Sequence, residues 1–162
     1  GIFMETKFDM FYETEVPEDE LIVSRTDFTG KITYVNETFA EISGYKPEDL
    51  VGQPHNIIRH PDMPRSTFAD LWETLKRGDI WNGYVKNLRK DGGYYWVHAR
   101  VATVMKDGKA VEYKSVREPI SREKAIEIQN LYDKLRSEEE GTTRVVLYIK
   151  NDKLAAAKSL ED

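Results

Sequence analysis

One stretch near the middle of the chain, residues 52–64, restricts the possible fold most strongly. It reads GQPHNIIRHPDMP and contains Pro54, Pro61 and Pro64. Proline lacks a backbone N–H and disfavours a helical conformation in the residue before it, so three prolines force this run into turns. The run also carries two histidines, an arginine and an aspartate beside two isoleucines. This mixture fits the wall of a ligand pocket, or a capped entry to the next helix with scattered polar side chains.

Composition excludes several classes of function. The chain has 162 residues, of which 40% are hydrophobic and 33% charged, as is typical of one globular domain. Its net charge of −5 leaves no basic surplus to neutralise phosphates, so we expect no nucleic-acid partner. It contains no cysteine, which excludes disulfides, thiolate metal sites and cysteinyl cofactor adducts. No apolar run approaches the roughly 20 residues that cross a bilayer, so we expect no direct membrane insertion.

Local patterns in the first half predict two strands and then helices on either side of the central run. Residues 21–26 and 31–35 alternate as a hairpin, and Asn36 can cap a short helix that follows. A further helical turn is predicted at 47–50. Apolar residues recur at helical spacing over 65–77, which predicts one apolar stripe on a longer helix. The stripe consists of Phe68, Leu71, Trp72 and Leu75.

The second half is predicted to be mostly strand. Three strands joined by tight turns fit residues 81–90, 94–105 and 110–117, and a helix fits 122–136. The element order β-β-α-α-pocket run-α-β-β-β-α predicts an α+β fold, with a five-stranded antiparallel sheet and helices on one face. The sheet and helices would then enclose an apolar space lined by residues 52–64.

These elements divide the chain into one domain and its flanks. Residues 1–19 are expected to form an N-terminal flap, 20–119 the domain itself, and 120–137 a C-terminal flanking helix. Residues 138–162 form a tail that we expect to be partly disordered or derived from cloning. Within the tail, 145–149 fits a lone strand or one that depends on a partner.

The histidines and Asp62 raise three chemical possibilities. His55 and His60 lie five residues apart and His98 falls on a distant strand, which is not the spacing of a metal site. Asp62 could orient His60 as a base, but GxSxG, HExxH and phosphate-binding glycine motifs are absent. We therefore expect no metal site and no enzymatic activity. A haem held by one axial histidine in an apolar pocket stays open.

An apolar pocket with a few fixed polar groups suits a planar aromatic cofactor. Asn87, on a predicted strand, offers both a donor and an acceptor to the mixed edge of a flavin ring. Arg59 presents a planar fork of donors to a pyrophosphate or a ring carbonyl. Aromatic side chains can pack on such a ring, although they are more often plain core. The candidates for this packing are Phe68, Trp72, Trp81 and Tyr95.

Six short segments match the motifs of one known family. They are TYVNETF at 33–39, ISGY at 42–45, GQPHNIIRHPDMP at 52–64, FADLW at 68–72, VKN at 85–87 and YYWV at 94–97. With these segments, residues 20–119 resemble a PAS domain, and more narrowly the sensory PAS domain of bacterial aerotaxis and energy-taxis receptors. The general PAS signal is broad, whereas the histidine–proline run is highly specific.

The resemblance implies a non-covalently bound FAD whose redox state reports on oxygen or electron transport. Asn87 sits where light-sensing flavin PAS domains place a ring-binding asparagine, whereas their second such asparagine is Val97 here. His55 takes the position of their photoreactive cysteine, so adduct photochemistry is excluded. Arg117, on the last strand, is a further candidate for the flavin edge. By resemblance, the flavin-binding motif comprises Asn36, Arg59, His60, Asp62, Trp72, Trp81 and Asn87.

The family also implies a sensor rather than an enzyme. A change in the redox state of FAD would alter hydrogen bonding at the ring and shift the strands that carry Asn87 and Arg117, as a population shift between two states. The signal would leave through the N-terminal flap or the C-terminal helix. The expected receiver is a chemoreceptor segment, either a HAMP segment or a methyl-accepting protein, with the domain as a homodimer.

The chain departs from a complete chemoreceptor because it lacks membrane helices, a HAMP segment and a long coiled coil. We therefore expect an excised sensor or a stand-alone protein in the cytoplasm, with any membrane association through a partner or a segment outside this sequence. Two alternatives stay open. One is a haem-binding gas sensor using His55, His60 or His98, and the other is a cofactor-free PAS module for dimerisation or docking.

Overall fold

A computed structural model describes the backbone of residues 5–7, 13–140, 143–150 and 153–160, and the side chains of residues 13–139. Strands and helices follow the order that the sequence pattern predicts, with additional strands at both ends of the chain. The elements are β1 (Glu5–Lys7), β2 (Ile22–Thr26), β3 (Ile32–Val35), α1 (Glu37–Ser43), α2 (Pro47–Leu50), α3 (Arg65–Lys76), β4 (Trp81–Leu88), β5 (Tyr94–Lys106), β6 (Lys109–Pro119), α4 (Arg122–Glu140), β7 (Thr143–Lys150) and β8 (Lys153–Leu160).

The main sheet has five antiparallel strands in the order β3-β2-β6-β5-β4. Hairpins join β2 to β3, β4 to β5 and β5 to β6, and β2 closes the sheet by pairing with β6. This last pairing sets Ser24 opposite Ser115 and Ile22 opposite Arg117. The predicted α+β fold with a five-stranded antiparallel sheet is confirmed.

Side chains alternate between the two faces of the sheet, and each face has its own cover. On β4, Val85 and Asn87 line a cavity on the inner face, whereas Lys86 points outward to α4. α4 packs across the outer face, where the Tyr132 hydroxyl donates to the carbonyl of Tyr84 at 2.6 Å. The buried residues of α4 are Ala125, Ile128 and Tyr132.

The proline-rich run folds as turns along the open edge of the sheet. It contains a 3-10 turn at His55–Ile58 and no longer helix. Arg59 then forms a β-bridge with Asn87 of the edge strand β4, and the sulfur of Met63 accepts from the Lys86 N–H at 3.3 Å. The run therefore covers the edge strand and reaches the inner face of the sheet, as a pocket wall would.

Asn36 joins the start of α1 to the strand beside it. Its Oδ1 accepts from the N–H groups of Phe39 at 3.0 Å and Val23 at 3.1 Å, and its Nδ2 donates to the Leu21 carbonyl at 2.8 Å. α1 ends at Gly44, whose φ of 79° is a left-handed conformation that glycine adopts without strain. The predicted cap and helix end are both confirmed.

The described residues of the C-terminal part form a longer helix and two strands. α4 runs beyond the predicted end at 136 to Glu140, because the glutamates there favour helix and Glu139 bonds to the start of α3. β7 is not a lone strand, since it pairs with β8 on one side and with β1 on the other. These backbone pairings join partners far apart in sequence, which local patterns do not reveal.

The N-terminal flap is described only in part. Residues 1–4 and 8–12 lie outside the described residues, so the expected course of 1–19 is followed only at 5–7 and 13–19. There, the Thr14 N–H donates to the Tyr94 carbonyl at 2.8 Å, which ties the segment to the start of β5. Within the described ranges, every helix is too short or too polar to cross a bilayer.

Replacing Asn36 with alanine is expected to lower the free energy of unfolding by about 1–3 kcal/mol. The change removes a helix cap and leaves the backbone groups of Val23 and Leu21 without their partner. Asn82→Ala, at an exposed position on β4, is the control and should change stability by less than about 0.5 kcal/mol. Urea denaturation measures both, and similar losses in the two variants would contradict this role of Asn36.

Candidate functional site

A cavity of about 280 Å³ lies between the inner face of the sheet, α3 and residues 52–64. This volume is at the lower limit of small-molecule sites, which run from about 300 to 1,000 Å³. Two arginines but no carboxylate line it within the described part of the chain. Most of its surface is apolar and comes from Ile58, Phe68, Leu71, Leu75, Val85 and Val101.

A buried arginine and a histidine form the inner wall of the cavity. Nη2 of Arg117 lies 2.8 Å from Nε2 of His55, and Nη1 donates to the Ser24 hydroxyl at 3.1 Å. Because a guanidinium only donates, Nε2 accepts and His55 is neutral, with its proton on Nδ1. Burial and the charge of Arg117 lower the pKa of His55 to about 3. Burial also lowers the pKa of Arg117 to about 10, which leaves it charged at neutral pH.

Two buried polar atoms on the cavity wall lack a hydrogen-bond partner among the described residues. They are Nδ2 of Asn87 and the hydroxyl of Ser115, in residues that are 3% and 8% exposed. Asn87 lies beside the hydroxyl of Tyr95, its cross-strand neighbour. Burial raises the pKa of Tyr95 to about 12, and the charge of Arg117 and the interaction with the Asn87 side chain oppose that rise. Each unpaired buried group costs about 1–3 kcal/mol. The amide and the hydroxyl are thus available to a ligand in the cavity.

Trp81 closes one side of the cavity and is held in a fixed orientation. Its Nε1 donates to a carboxylate oxygen of Asp70 on α3 at 2.9 Å. The ring lies across Gly83, where an added Cβ would stand 2.2 Å from ring carbons. Only glycine leaves room for the ring at this position, so Gly83 is part of the site although it carries no side chain.

The outer rim of the cavity carries a cation and aromatic rings. The guanidinium carbon of Arg59 lies 3.8 Å from the ring centre of Phe68, a cation–π contact. Trp72 lies one helical turn further along α3, and its ring centre is 5.8 Å from that of Tyr113 on β6. The rim is therefore continuous from Arg59 to β6.

The structure brings most of the predicted site residues to this cavity and leaves three elsewhere. Among the described residues, Asn36 bonds only to backbone groups, and His60 and Asp62 line no part of the cavity. His60 and Asp62 lie elsewhere because the chain turns around the edge of β4 after Arg59. Contact of these three residues with a cofactor stays a prediction. The predicted residues that do line the cavity are Arg59, Trp72, Trp81, Asn87 and Arg117.

His60 and Asp62 belong instead to a cluster at the outer face of the sheet. Lys86, which is 3% exposed, donates to Oδ2 of Asp62 and to Oε1 of Gln129, both at 2.8 Å. Arg136 donates to the carbonyl of Asp62 at 2.7 Å. Although burial opposes ionisation, the neighbouring His60, Lys86 and Arg136 lower the pKa of Asp62. The cluster thus joins the central run, β4 and α4.

Sequence reasoning missed several cavity residues. Ser115 and Tyr113 share the inner face of β6 with Arg117, and the two-residue alternation from that arginine could have identified them. Ser24 stands opposite Ser115 in a pairing that only the sheet reveals. The sequence raises metal, haem and photochemical roles for His55, whereas no local pattern indicates its contact with Arg117, which lies 62 residues later.

The three histidines are not gathered at one place. Within the described ranges, no group of three histidine, aspartate or glutamate side chains is arranged to hold a metal ion. His55 faces the cavity, His60 faces the cluster around Asp62, and His98 lies beside Glu118 at 3.1 Å. The cavity wall offers hydrogen-bonding side chains and the charge of two arginines.

Comparison with known proteins shows the family. The sequence profile of the PAS fold matches residues 32–117. The chain belongs to the PAS-fold family. It is 44% identical to the aerotaxis receptor of Escherichia coli (strain K12) over 124 residues, which is 76% of this chain and 24% of the receptor. A nitrogen fixation regulatory protein of Klebsiella pneumoniae is 29% identical over 109 residues, 67% of this chain and 22% of that protein.

Solved structures share the fold of this PAS domain. The light-state structure of the blue-light photoreceptor Aureochrome1 LOV has a TM-score of 0.60 at 21% identity, over 69% of this chain and 91% of that one. A light-oxygen-voltage domain studied with a flavin analogue has a TM-score of 0.59 at 21% identity, over 70% of this chain and 86% of that one. The chain spans about a quarter of the length of the curated relatives it matches. It is a PAS domain related in sequence to the aerotaxis receptor.

Mild acid is expected to destabilise the protein before its carboxylates titrate. Burial lowers the pKa of both His55 and His60 from 6.5 to about 3. Between these values the unfolded chain binds more protons than the folded one. Stability is therefore lost as the pH falls below 6.5, by up to about 1.4 kcal/mol per pH unit for each histidine.

Urea denaturation at several pH values between 7.5 and 4.5 measures this slope. His55→Gln should reduce the slope by the contribution of one histidine, and Asn82→Gln, at an exposed position without a titratable side chain, should retain the full slope. A stability that is constant from pH 7 to 5 would show that the two buried imidazoles take up protons without cost in the folded state.

Proposed function

We propose that the chain is an FAD-binding redox sensor that signals by a conformational change to a chemotaxis transducer. The observation that carries the proposal is a mostly apolar cavity whose wall presents the unpartnered Ser115 hydroxyl and the Asn87 amide, which otherwise faces the hydroxyl of Tyr95. A planar heteroaromatic ring with a polar edge would fill the apolar space and satisfy both groups. The 44% identity to an aerotaxis receptor supports the same assignment independently.

The charge of the cavity also favours a flavin nucleotide. Arg117 is buried with only neutral hydrogen-bond partners in the described structure, the hydroxyl of Ser24 and the imidazole of His55. A buried cation without a counter-ion is costly, so a ligand that carries or gains negative charge beside it is stabilised. Arg59 at the rim adds a planar donor fork suited to a phosphate.

Each wall then has a distinct task. A bound flavin supplies reversible electron transfer. Asn87 and Ser115 donate hydrogen bonds to its polar edge, and Arg117 supplies positive charge at the inner wall. His55 keeps that guanidinium in place by accepting from it at 2.8 Å. Trp81 and the apolar lining exclude water, which strengthens each of these interactions.

No comparable observation favours haem. Nε2 of His55 is 2.8 Å from Arg117 and 3.0 Å from the Ser24 hydroxyl, so an iron ion there would have to displace both. His60 and His98 do not line the cavity. Haem binding therefore requires a rearrangement of the inner wall, whereas a flavin uses the wall as it stands.

The route that we propose for the signal crosses the sheet at β4. Asn87 lines the cavity, and its neighbour Lys86 lies on the opposite face of the sheet. There the Lys86 ammonium donates to Asp62 of the central run and to Gln129 of α4, both at 2.8 Å. A shift of β4 that follows a changed hydrogen bond at Asn87 therefore moves the buried ion pair of Lys86 and Asp62. That ion pair is also where α4 is attached through Arg136.

A second contact links α4 to the helix that lines the cavity. The N-cap of α3 is Pro64, which offers no side-chain acceptor. Glu139 of α4 takes that role, with its two carboxylate oxygens each 3.0 Å from the N–H groups of Arg65 and Ser66. A carboxylate there also interacts favourably with the helix dipole. We propose that movement of α4 passes the signal to a transducer segment on the cytoplasmic side, with the domain acting as a homodimer.

An absorbance spectrum of the purified chain after incubation with FAD tests the assignment. Bound flavin is expected in the parent protein and in Asn82→Leu, whose side chain is exposed on the same strand. Asn87→Leu should weaken binding by about tenfold or more, because it removes the donor and leaves the ligand edge unpaired. A parent protein without flavin absorbance would refute the proposal, and a Soret band would select haem instead.

Glu139→Gln is expected to loosen the start of α3. Loss of the charged cap should raise amide hydrogen exchange at residues 65–68 by about 2- to 30-fold, which corresponds to about 0.5–2 kcal/mol. Glu138→Gln, the adjacent and exposed glutamate, is the matched control. If both variants exchange at the parent rate, α4 does not hold α3 through this carboxylate.

A further inference from the structure

Three aromatic side chains form a cluster at the rim of the cavity, in which Phe28 and Trp72 are exposed and Tyr113 is half-buried. The Tyr113 ring centre lies 5.1 Å from that of Phe28 and 5.8 Å from that of Trp72. Phe28 is 49% exposed and Trp72 is 42% exposed. The rings come from the turn after β2, from α3 and from β6, so the fold assembles them. Large apolar rings left exposed together usually mark an interaction site.

The cluster continues the lining of the cavity. Trp72 and Tyr113 both line the cavity. One turn before Trp72, the Phe68 ring contacts the guanidinium of Arg59, whose central carbon lies 3.8 Å from the ring centre. Along the rim, a cation is therefore followed by a series of aromatic surfaces ending at Phe28. A nucleotide presents the complementary order, with phosphate first and then a flat base.

The size of the cavity decides which part of a ligand reaches this rim. Its volume of about 280 Å³ is at the lower limit of sites for single drug-sized molecules, and a dinucleotide is larger than these. If the flavin ring enters the cavity, the remainder of FAD has to lie outside it. The rim with Arg59 and the three rings is the polar and aromatic surface adjoining the cavity.

We propose that Phe28, Trp72 and Tyr113 form a shelf on which the adenine ring of FAD stacks, so that the rim selects FAD over FMN. The inference rests on the flavin binding proposed above and names the part of the ligand that gives selectivity. Stacking is suited to this surface because it needs exposed ring faces and no fixed hydrogen-bond donors. Phe28 acts within the shelf through Tyr113, against whose ring it packs at 63°.

The test titrates FAD, FMN and ADP into the full chain freed of cofactor, with affinities measured by calorimetry. Trp72→Leu and Phe28→Leu remove a ring while keeping apolar volume, and Phe28→Tyr keeps the ring. Tyr34→Leu is the control, because Tyr34 is 47% exposed on β3 and does not line the cavity. Thermal unfolding of each variant checks that the fold is intact.

The parent chain should bind FAD more tightly than FMN. Trp72→Leu should weaken the binding of FAD and ADP by about 5- to 150-fold, which corresponds to the loss of one base stack. The same change should weaken the binding of FMN by less than about threefold. Phe28→Leu should act in the same direction with a smaller effect, and Phe28→Tyr and Tyr34→Leu should retain the parent preference.

If Trp72→Leu weakens the binding of FAD and FMN equally, the Trp72 ring contacts the flavin itself, and the proposed adenine shelf is refuted. Equal affinity of the parent chain for FAD and FMN would overturn it as well. If neither FAD nor FMN binds, the proposed function fails, and ADP binding alone then tests whether the three rings form a nucleotide site. ADP binding that Phe28→Leu weakens and Tyr34→Leu does not would then sustain a nucleotide site, and no ADP binding would refute it.

Discussion

The edge of the sheet at β4 is closed by the proline-shaped run, and the site depends on that closure. An uncovered edge strand would expose unpaired backbone groups to other chains. Here Arg59 bridges Asn87 and the sulfur of Met63 accepts from the Lys86 N–H, so the run lies against the strand. The same contacts bring the run to the inner face and carry Asp62 to the outer face. The cavity wall and the attachment of α4 are therefore parts of one continuous segment.

Polar groups on the cavity wall lack the hydrogen-bond partners that buried polar groups usually have. Asn87 and Ser115 each have an unpaired atom, and Arg117 has only neutral hydrogen-bond partners in the described chain. These groups cost stability, which the apolar core around Phe39 and Tyr95 has to offset. A local conflict of this kind is typical of a binding site. Because a ligand would relieve it, binding and folding are linked at this cavity.

Periodicity is sufficient to predict the elements between residues 21 and 136, and it is insufficient for the two ends of the chain and for part of the site. Strands, helices and the Asn36 cap follow from patterns within a few residues of each other, so the α+β fold was predictable. The side to which His60 and Asp62 turn depends on how the run passes the edge of β4, which no local pattern encodes. The full length of α4 was missed for a similar reason, since the partners of Glu139 lie more than 70 residues earlier.

The placement of Lys86 and Asn87 on opposite faces of the sheet restricts which insertions and deletions β4 can accept. Side chains in a strand alternate with a period of two, so inserting or deleting one residue between Trp81 and Asn87 would exchange the two faces. The ammonium group would then enter the cavity and the amide would face Asp62 beneath α4. Related sequences that retain both sites must therefore keep the number of residues between Trp81 and Asn87 unchanged in parity.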